Sequence, residues 1–348
     1  MNRQRFLLPA MVILTLARSL LLPMSGLTSL EEYVLRCAHE PLTWHEGLGP
    51  LLPWLVKIST TAFGEGSFGV RFFSPWIIFA AGWLLWELAR GLFDNTTASW
   101  ALLLFQVIPA VNIAATTMTP TTLGLAGSVG VLAALRLALH RTHPWHLYWW
   151  ILGCGLLALS LVDWRFAMLG VAGCASMALT QRGRRALTKW PVLPVLGGFL
   201  VVAIMLFYLG NSRNGWAGLN HLPMAPSSDG VDILLHLLVA CTPLLLIAFG
   251  WVLVRSAQRR SMTYHMAFVY AFMWPLLTLD MLIWRSLPWP CSGSGAWLAP
   301  ACMLLAHLSL TYEPAPPRLK VGIRSFTVLA AAAQSCWLVK GTWLILPF

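Results

Sequence analysis

Apolar runs of about 17 to 22 residues recur along the whole chain, each long enough to cross a hydrocarbon core of roughly 30 Å as a helix. Only 10% of the 348 residues are charged, whereas a soluble domain carries about 25%. A soluble globular reading is therefore excluded, and the sequence reads as an all-α polytopic membrane protein. Hydropathy places spans at 6–24, 75–91, 97–115, 122–139, 147–163, 165–180, 191–209, 232–254, 265–284, 295–311 and 325–345. That makes about eleven helices in a single integral membrane domain over 1–348.

The charges orient these spans. The formal net charge is +11, but cytoplasmic loops of membrane proteins collect Lys and Arg, and no basic patch with interleaved aromatics calls for nucleic acid. With the N-terminus cytoplasmic, the inside segments hold 15 of the 23 basic residues, among them Arg90, Arg136, Arg182, Arg184, Arg185 and Arg259. Most acids fall on the other side, so the C-terminus is expected outside, in a bacterial inner (plasma) membrane. Trp145, Trp149, Trp150, Trp284 and Trp289 stand near helix ends, where indoles anchor at the interface. The run after Arg5 lacks a small-residue cleavage site and reads as a retained first helix. The spans at 147–163 and 165–180 are short enough to be tilted or re-entrant.

The seven cysteines show no CxxC or Cys/His ligand spacing. Only Cys37 and Cys291 fall in segments placed outside the membrane, so theirs is the one disulfide the topology allows. His39, His45 and His221 are scattered and read as loop residues, leaving any divalent metal undetermined.

Two external segments, 25–74 and 210–231, have room for chemistry. The first holds two short amphipathic stretches, from Leu30 to His39 and from Leu51 to Phe63, joined through Pro41, Gly47, Gly49 and Pro50. The apolar side of the second stretch, with Leu51, Leu52, Trp54, Leu55 and Ile58, suits it to lie in the membrane surface, beside lipid head groups.

Three motifs in this half give the chain a family likeness. They are Leu30-Glu31-Glu32-Tyr33, then Gly49-Pro50-Leu51-Leu52-Pro53-Trp54-Leu55, then Phe63-Gly64-Glu65-Gly66-Ser67-Phe68-Gly69-Val70-Arg71. From Ser29 to about His140 the sequence resembles the polyprenyl-phosphate-sugar-dependent glycosyltransferases of the GT-C superfamily, in the branch of protein mannosyltransferases and lipid A aminoarabinose transferases. The resemblance implies a GT-C-like bundle, a lipid-linked sugar donor and an active site in the first external loop. The departures are specific: Leu30 stands where the family has an Asp, Leu48 and Gly49 stand where an acid or His often precedes the Pro, and Thr119-Pro120-Thr121 replaces Thr-Pro-Asp.

Sugar transfer from a polyprenyl phosphate needs a carboxylate for the acceptor hydroxyl and cations for the departing phosphate. One base suffices, since the donor brings its own leaving group. Glu31 is the first candidate base, followed by Glu46 and Glu32, each otherwise a solvated acid. Lys57, Arg71, Arg165, Arg213 and Arg285 are the phosphate candidates, Arg for its forked donors and Lys as a point charge. Against these, Lys57 also reads as a snorkelling side chain and Arg71 as a helix-entry anchor or a partner of Glu65. His45, Tyr33, Asp163 and Asp280 complete the set as acceptor or cavity residues, although Asp280 pairing with Arg285 or Arg18 is the blander expectation. Three functions follow: a glycosyltransferase acting on a lipid, glycan or protein; a silent lipid-binding scaffold of the same fold; and a flippase or transporter. No internal repeat supports the last. The partners expected are the bilayer and a polyprenyl lipid, with any protein partner left open.

Overall fold

The apolar runs fold as helices. The computed structural model describes residues 4–140, 147–187, 192–212, 214–216, 247–250, 268–273, 276 and 297–311, and among these no strand forms. The helices are α1 (Gln4–Leu21), α2 (Ser29–Cys37), α3 (Leu51–Phe63), α4 (Ser67–Arg71), α5 (Phe73–Leu92), α6 (Asn95–Val107), α7 (Pro109–Thr116), α8 (Pro120–His140), α9 (Leu147–Ser160), α10 (Met168–Leu179), α11 (Gln181–Leu187), α12 (Val192–Ser212) and α13 (Leu298–Thr311).

Among the described residues, four stretches are long and apolar enough to span a bilayer: Leu7–Met24, Ser67–Leu92, Pro120–Leu139 and Pro194–Ser212. The expected spans at 325–345 and, for the most part, at 232–254 and 265–284 lie outside the described residues. Around α5, the helices α6, α8 and α1 pack in a bundle, extended by α13 on α6 and by α9 and then α12 beyond α8. Leu85, Ala89, Phe105, Leu125 and Leu135 lie fully buried at its centre.

One span departs from expectation. The run at 97–115 is not a single helix: α6 and α7 meet at 66°. Ile108 precedes Pro109, and the proline ring disfavours helical geometry at the residue before it; Ile108 is accordingly extended, at φ −61° and ψ 129°. The short pair is also resolved. The helix α9 has 14 residues and α10 has 12, about 21 and 18 Å at 1.5 Å per residue, shorter than the hydrocarbon core.

Candidate functional site

The loop between α1 and α5 is built on a cap. Thr28 is extended at the N-terminus of α2, its hydroxyl accepts from the Glu31 N–H at 3.3 Å, and the Glu31 carboxylate accepts from the Thr28 N–H at 2.9 Å. This reciprocal capping box satisfies two of the donors that a helix start leaves open. It also turns Glu31 inward, onto the same face as Leu30, Val34 and Cys37, while Glu32, Arg36 and His39 face outward.

Inward, Glu31 meets Arg71. The Nε of Arg71 donates to Oε1 at 2.6 Å and its Nη2 to Oε2 at 2.5 Å, with the Glu31 side chain wholly buried. Oε1 also accepts from the Met118 N–H at 3.1 Å, and Oε2 from the Thr28 hydroxyl at 3.0 Å. Together with the Thr28 N–H these make five donors on one carboxylate, which has about four lone-pair positions. The remaining Arg71 donors go to the Ser25 hydroxyl at 2.6 Å and the Gly26 carbonyl at 2.7 Å. Arg71 therefore pairs with Glu31, and Glu65, its expected alternative, is exposed.

The loop tip closes on itself. His45 and Leu48 exchange backbone hydrogen bonds of 3.0 and 3.1 Å, leaving Glu46 and Gly47 at the turn. Gly47 has φ +65°, a left-handed conformation in which a side chain is strained. Glu46 projects into the open from this turn, and its carbonyl accepts from the Tyr33 hydroxyl at 3.1 Å. The His45 Nε2 lies 2.9 Å from the Thr43 hydroxyl and 3.1 Å from the Glu40 carbonyl. Burial, then the neighbouring Cys37, raise the Tyr33 phenol well above its ordinary value.

Beyond the tip the loop is tied to the bundle. The Gly49 and Leu51 N–H groups donate to the carbonyls of Val162 at 2.8 Å and Leu161 at 3.0 Å, just past the end of α9. A Cβ on Gly49 would lie 2.2 Å from the Leu161 oxygen, so this approach needs glycine. The Trp44 ring meets Phe207 of α12 edge-on at 5.0 Å, and the Asn214 side-chain amide donates to the Trp44 carbonyl at 3.1 Å. In the adjoining turn Asp163 accepts from the Arg165 Nε on both oxygens at 2.9 Å and from its backbone N–H at 2.9 Å.

Next along the chain is α3. Trp54, Lys57, Ile58 and Thr61 share its exposed face at helical spacing, and Leu52, Val56, Ser59 and Thr60 its buried one. Of the five phosphate candidates, then, Arg71 and Arg165 are engaged by carboxylates, Lys57 is exposed, and Arg213 and Arg285 lie outside the described residues, as does Asp280. Cys37 is buried with a free thiol, and Cys291 is outside the described residues. Leu30 and Leu48, at two of the positions where the family favours an acid, are both buried in the apolar core. Sequence reasoning missed the anchoring roles of Trp44 and of the Met118 N–H; a backbone donor leaves no trace in side-chain identity.

Comparison with known proteins bears on the later part of this loop and the helices that follow it. Residues 47–208 match the family described as dolichyl-phosphate-mannose-protein mannosyltransferase. No curated protein matches the chain by sequence. Among solved structures, ArnT from Cupriavidus metallidurans bound to undecaprenyl phosphate is similar at a TM-score of 0.65 and 16% identity, covering 96% of this chain and 64% of that one. The oligosaccharyltransferase AglB from Archaeoglobus fulgidus, in complex with an inhibitory peptide and a dolichol-phosphate, gives 0.58 and 13%, covering 99% and 56%. The arabinofuranosyltransferase AftD from Mycobacteria gives 0.58 and 15%, covering 99% and 27%. The chain thus spans under two thirds of the length of each of these. The family match and the shared helical architecture identify the chain as a multi-pass membrane protein with the GT-C fold, similar across residues 47–208 to the dolichyl-phosphate-mannose-protein mannosyltransferases.

Proposed function

We propose that this chain transfers a sugar from a polyprenyl-phosphate donor to a lipid, glycan or protein acceptor at the external face of the bacterial plasma membrane, its N-terminus cytoplasmic and its C-terminus external. The observation that carries this reading is that the family match, residues 47–208, takes in the later half of the first loop, from Gly47 through α3 and α4, and the end of α9 to which Gly49 and Leu51 are bonded. The lipid phosphates held by similar folds, undecaprenyl phosphate in ArnT and dolichol-phosphate in AglB, support the donor class.

Within the loop, the saturation of Glu31 favours Glu46 as the base that accepts the acceptor proton. An exposed carboxylate on a closed turn can approach a hydroxyl, whereas five protein donors already occupy Glu31. Glu32 is exposed on α2 and stands second. Lys57, exposed among Trp54 and Ile58, suits a point-charge contact with a lipid phosphate at the membrane surface. Arg213, Arg285 and Asp280 remain candidates for the same site, with Tyr33 and His45 supporting the tip from within. A metal has no assigned role in this reading.

A second reading, a silent lipid-binding scaffold, is favoured by the burial of Leu30 and Leu48 in the apolar core at positions where the family favours acids. Mass spectrometry of envelope lipids and glycans separates the two, in a deletion strain carrying the wild type or Glu46→Gln. A sugar-sized mass restored by the wild type alone supports transfer through Glu46. Restoration by both removes Glu46 from the chemistry, and no glycan change with either puts the scaffold first.

A further inference from the structure

A buried cation sits below the loop, inside the bundle. Arg18 of α1 is 5% exposed. Its Nη1 donates to the Gln106 side-chain oxygen at 2.8 Å, and its Nη2 to the Gln106 carbonyl at 3.2 Å and the Asn112 Oδ1 at 2.5 Å. Among the described residues these partners are all neutral, and the Arg18 Nε has none.

The partners explain the charge. The break at Ile108–Pro109 ends α6 inside the bundle, where the last carbonyls of a helix lack intrahelical donors and carry its negative dipole end. Asn112 of α7 reaches back to the same place, its Nδ2 donating to the Gln106 and Ile108 carbonyls, each at 3.2 Å. Arg18 and Asn112 together thus close the open end of α6 across the bend. The other end of α7 leads to the first loop: the Thr122 hydroxyl donates to the Ala114 and Thr117 carbonyls at 2.9 Å, fixing the turn, and the next N–H, of Met118, donates to Glu31.

We propose that Arg18 is a positioning residue for the first external loop: by capping the broken span it fixes α7, and α7 sets the height of the Met118 N–H on which Glu31 and its Arg71 fork rest. Its functional consequence rests on the reading of that loop as the site, but the coupling itself does not.

Hydrogen exchange, read by mass spectrometry on the full chain in lipid nanodiscs without substrate, tests the coupling. Arg18→Met should speed exchange by about ten-fold or more both at 109–119 and at 28–37, leaving 147–160 at the wild-type rate. Arg18→Lys should recover part of the protection, since one ammonium can reach Gln106 but lacks the fork that also holds Asn112. If Arg18→Met does not fold, Asn112→Leu keeps the cation, removes one acceptor and should give the same two-segment pattern. Faster exchange at 109–119 with 28–37 unchanged, or no change at either, overturns the proposal. Intact coupling in a chain that moves no sugar would instead remove the transfer reading and leave Arg18 in its role.

Discussion

Glu31 and Arg71, forty positions apart, are joined by a two-pronged ion pair of 2.6 and 2.5 Å from which water is excluded. The pair ties the start of α2 to the end of α4 and, through Ser25 and Gly26, to the chain leaving α1. Breaking a buried pair by removing one partner strands the other charge, at a cost of about 3–5 kcal/mol. Glu31→Gln should therefore lower the melting temperature of the purified protein sharply. A shift no larger than that of a surface substitution would show that the fork contributes little.

Thr28 contributes to the same hub. Thr28→Ala removes the hydroxyl that caps α2 and one donor to Glu31, and loss of such a cap costs about 1 to 2 kcal/mol. Thermal unfolding of Thr28→Ala beside Thr28→Ser measures this, with the serine expected to keep most of the stability.

Gly49→Ala tests the docking of the loop on α9. The added methyl would fall within 2.2 Å of the Leu161 oxygen, so either the two backbone hydrogen bonds lengthen or the end of α9 moves, at roughly 1–3 kcal/mol for an overpacked contact. Protection of the Gly49 and Leu51 amides from exchange reports the loss directly. Unchanged protection would mean the loop is held elsewhere.

Glu46→Gln should separate chemistry from stability. As an exposed turn residue its substitution should shift stability by no more than about 0.5 kcal/mol, while loss of a general base lowers transfer by about 10²–10⁴-fold. Equal losses in folding and product would assign Glu46 to the turn alone.

Cys37 offers a pH test. Burial pushes its thiol up from 9.0 to about 11, against the opposing effects of the Tyr33 hydroxyl and Arg36. Because the folded value is raised, any stability linked to this thiol is intact below pH 9.0 and falls as pH rises towards about 11, where the unfolded chain ionises first. In a variant keeping only this cysteine, alkylation at pH 8 should be slow when folded and should accelerate with a midpoint near pH 11. A midpoint at the ordinary thiol value would show that Cys37 is not shielded.

Much of this architecture could be read from the chain, because hydropathy acts locally. The spans forming α1, α5, α8 and α12 follow from long apolar runs, and the amphipathic α2 and α3 from spacing. The bend at Ile108 was signalled by Pro109 but hidden within an apolar stretch that reads as one span. The site was less legible, since Glu31, Arg71 and Met118 meet only through tertiary packing. A carboxylate at the start of a surface helix looks solvated in sequence, and only the fold shows it turned inward. Arg18 entered the sequence reading only as an alternative partner of Asp280; the partners it has, a side-chain amide and the end of a broken helix, leave no charge pattern to find.

The attachment of the tip bears on which parts of the bundle can move it. Residues 44–51 are fastened to the end of α9 and to the C-terminal part of α12 by backbone bonds, an aromatic contact and the Asn214 amide. The backbone of the turn that carries Glu46 is thus tied to α9 and α12, and through the Tyr33 hydroxyl to α2 as well. For the proposed polyprenyl donor, a tilt of α9 and α12 within the bilayer would carry this turn with it, so that membrane thickness would act on the geometry of the turn.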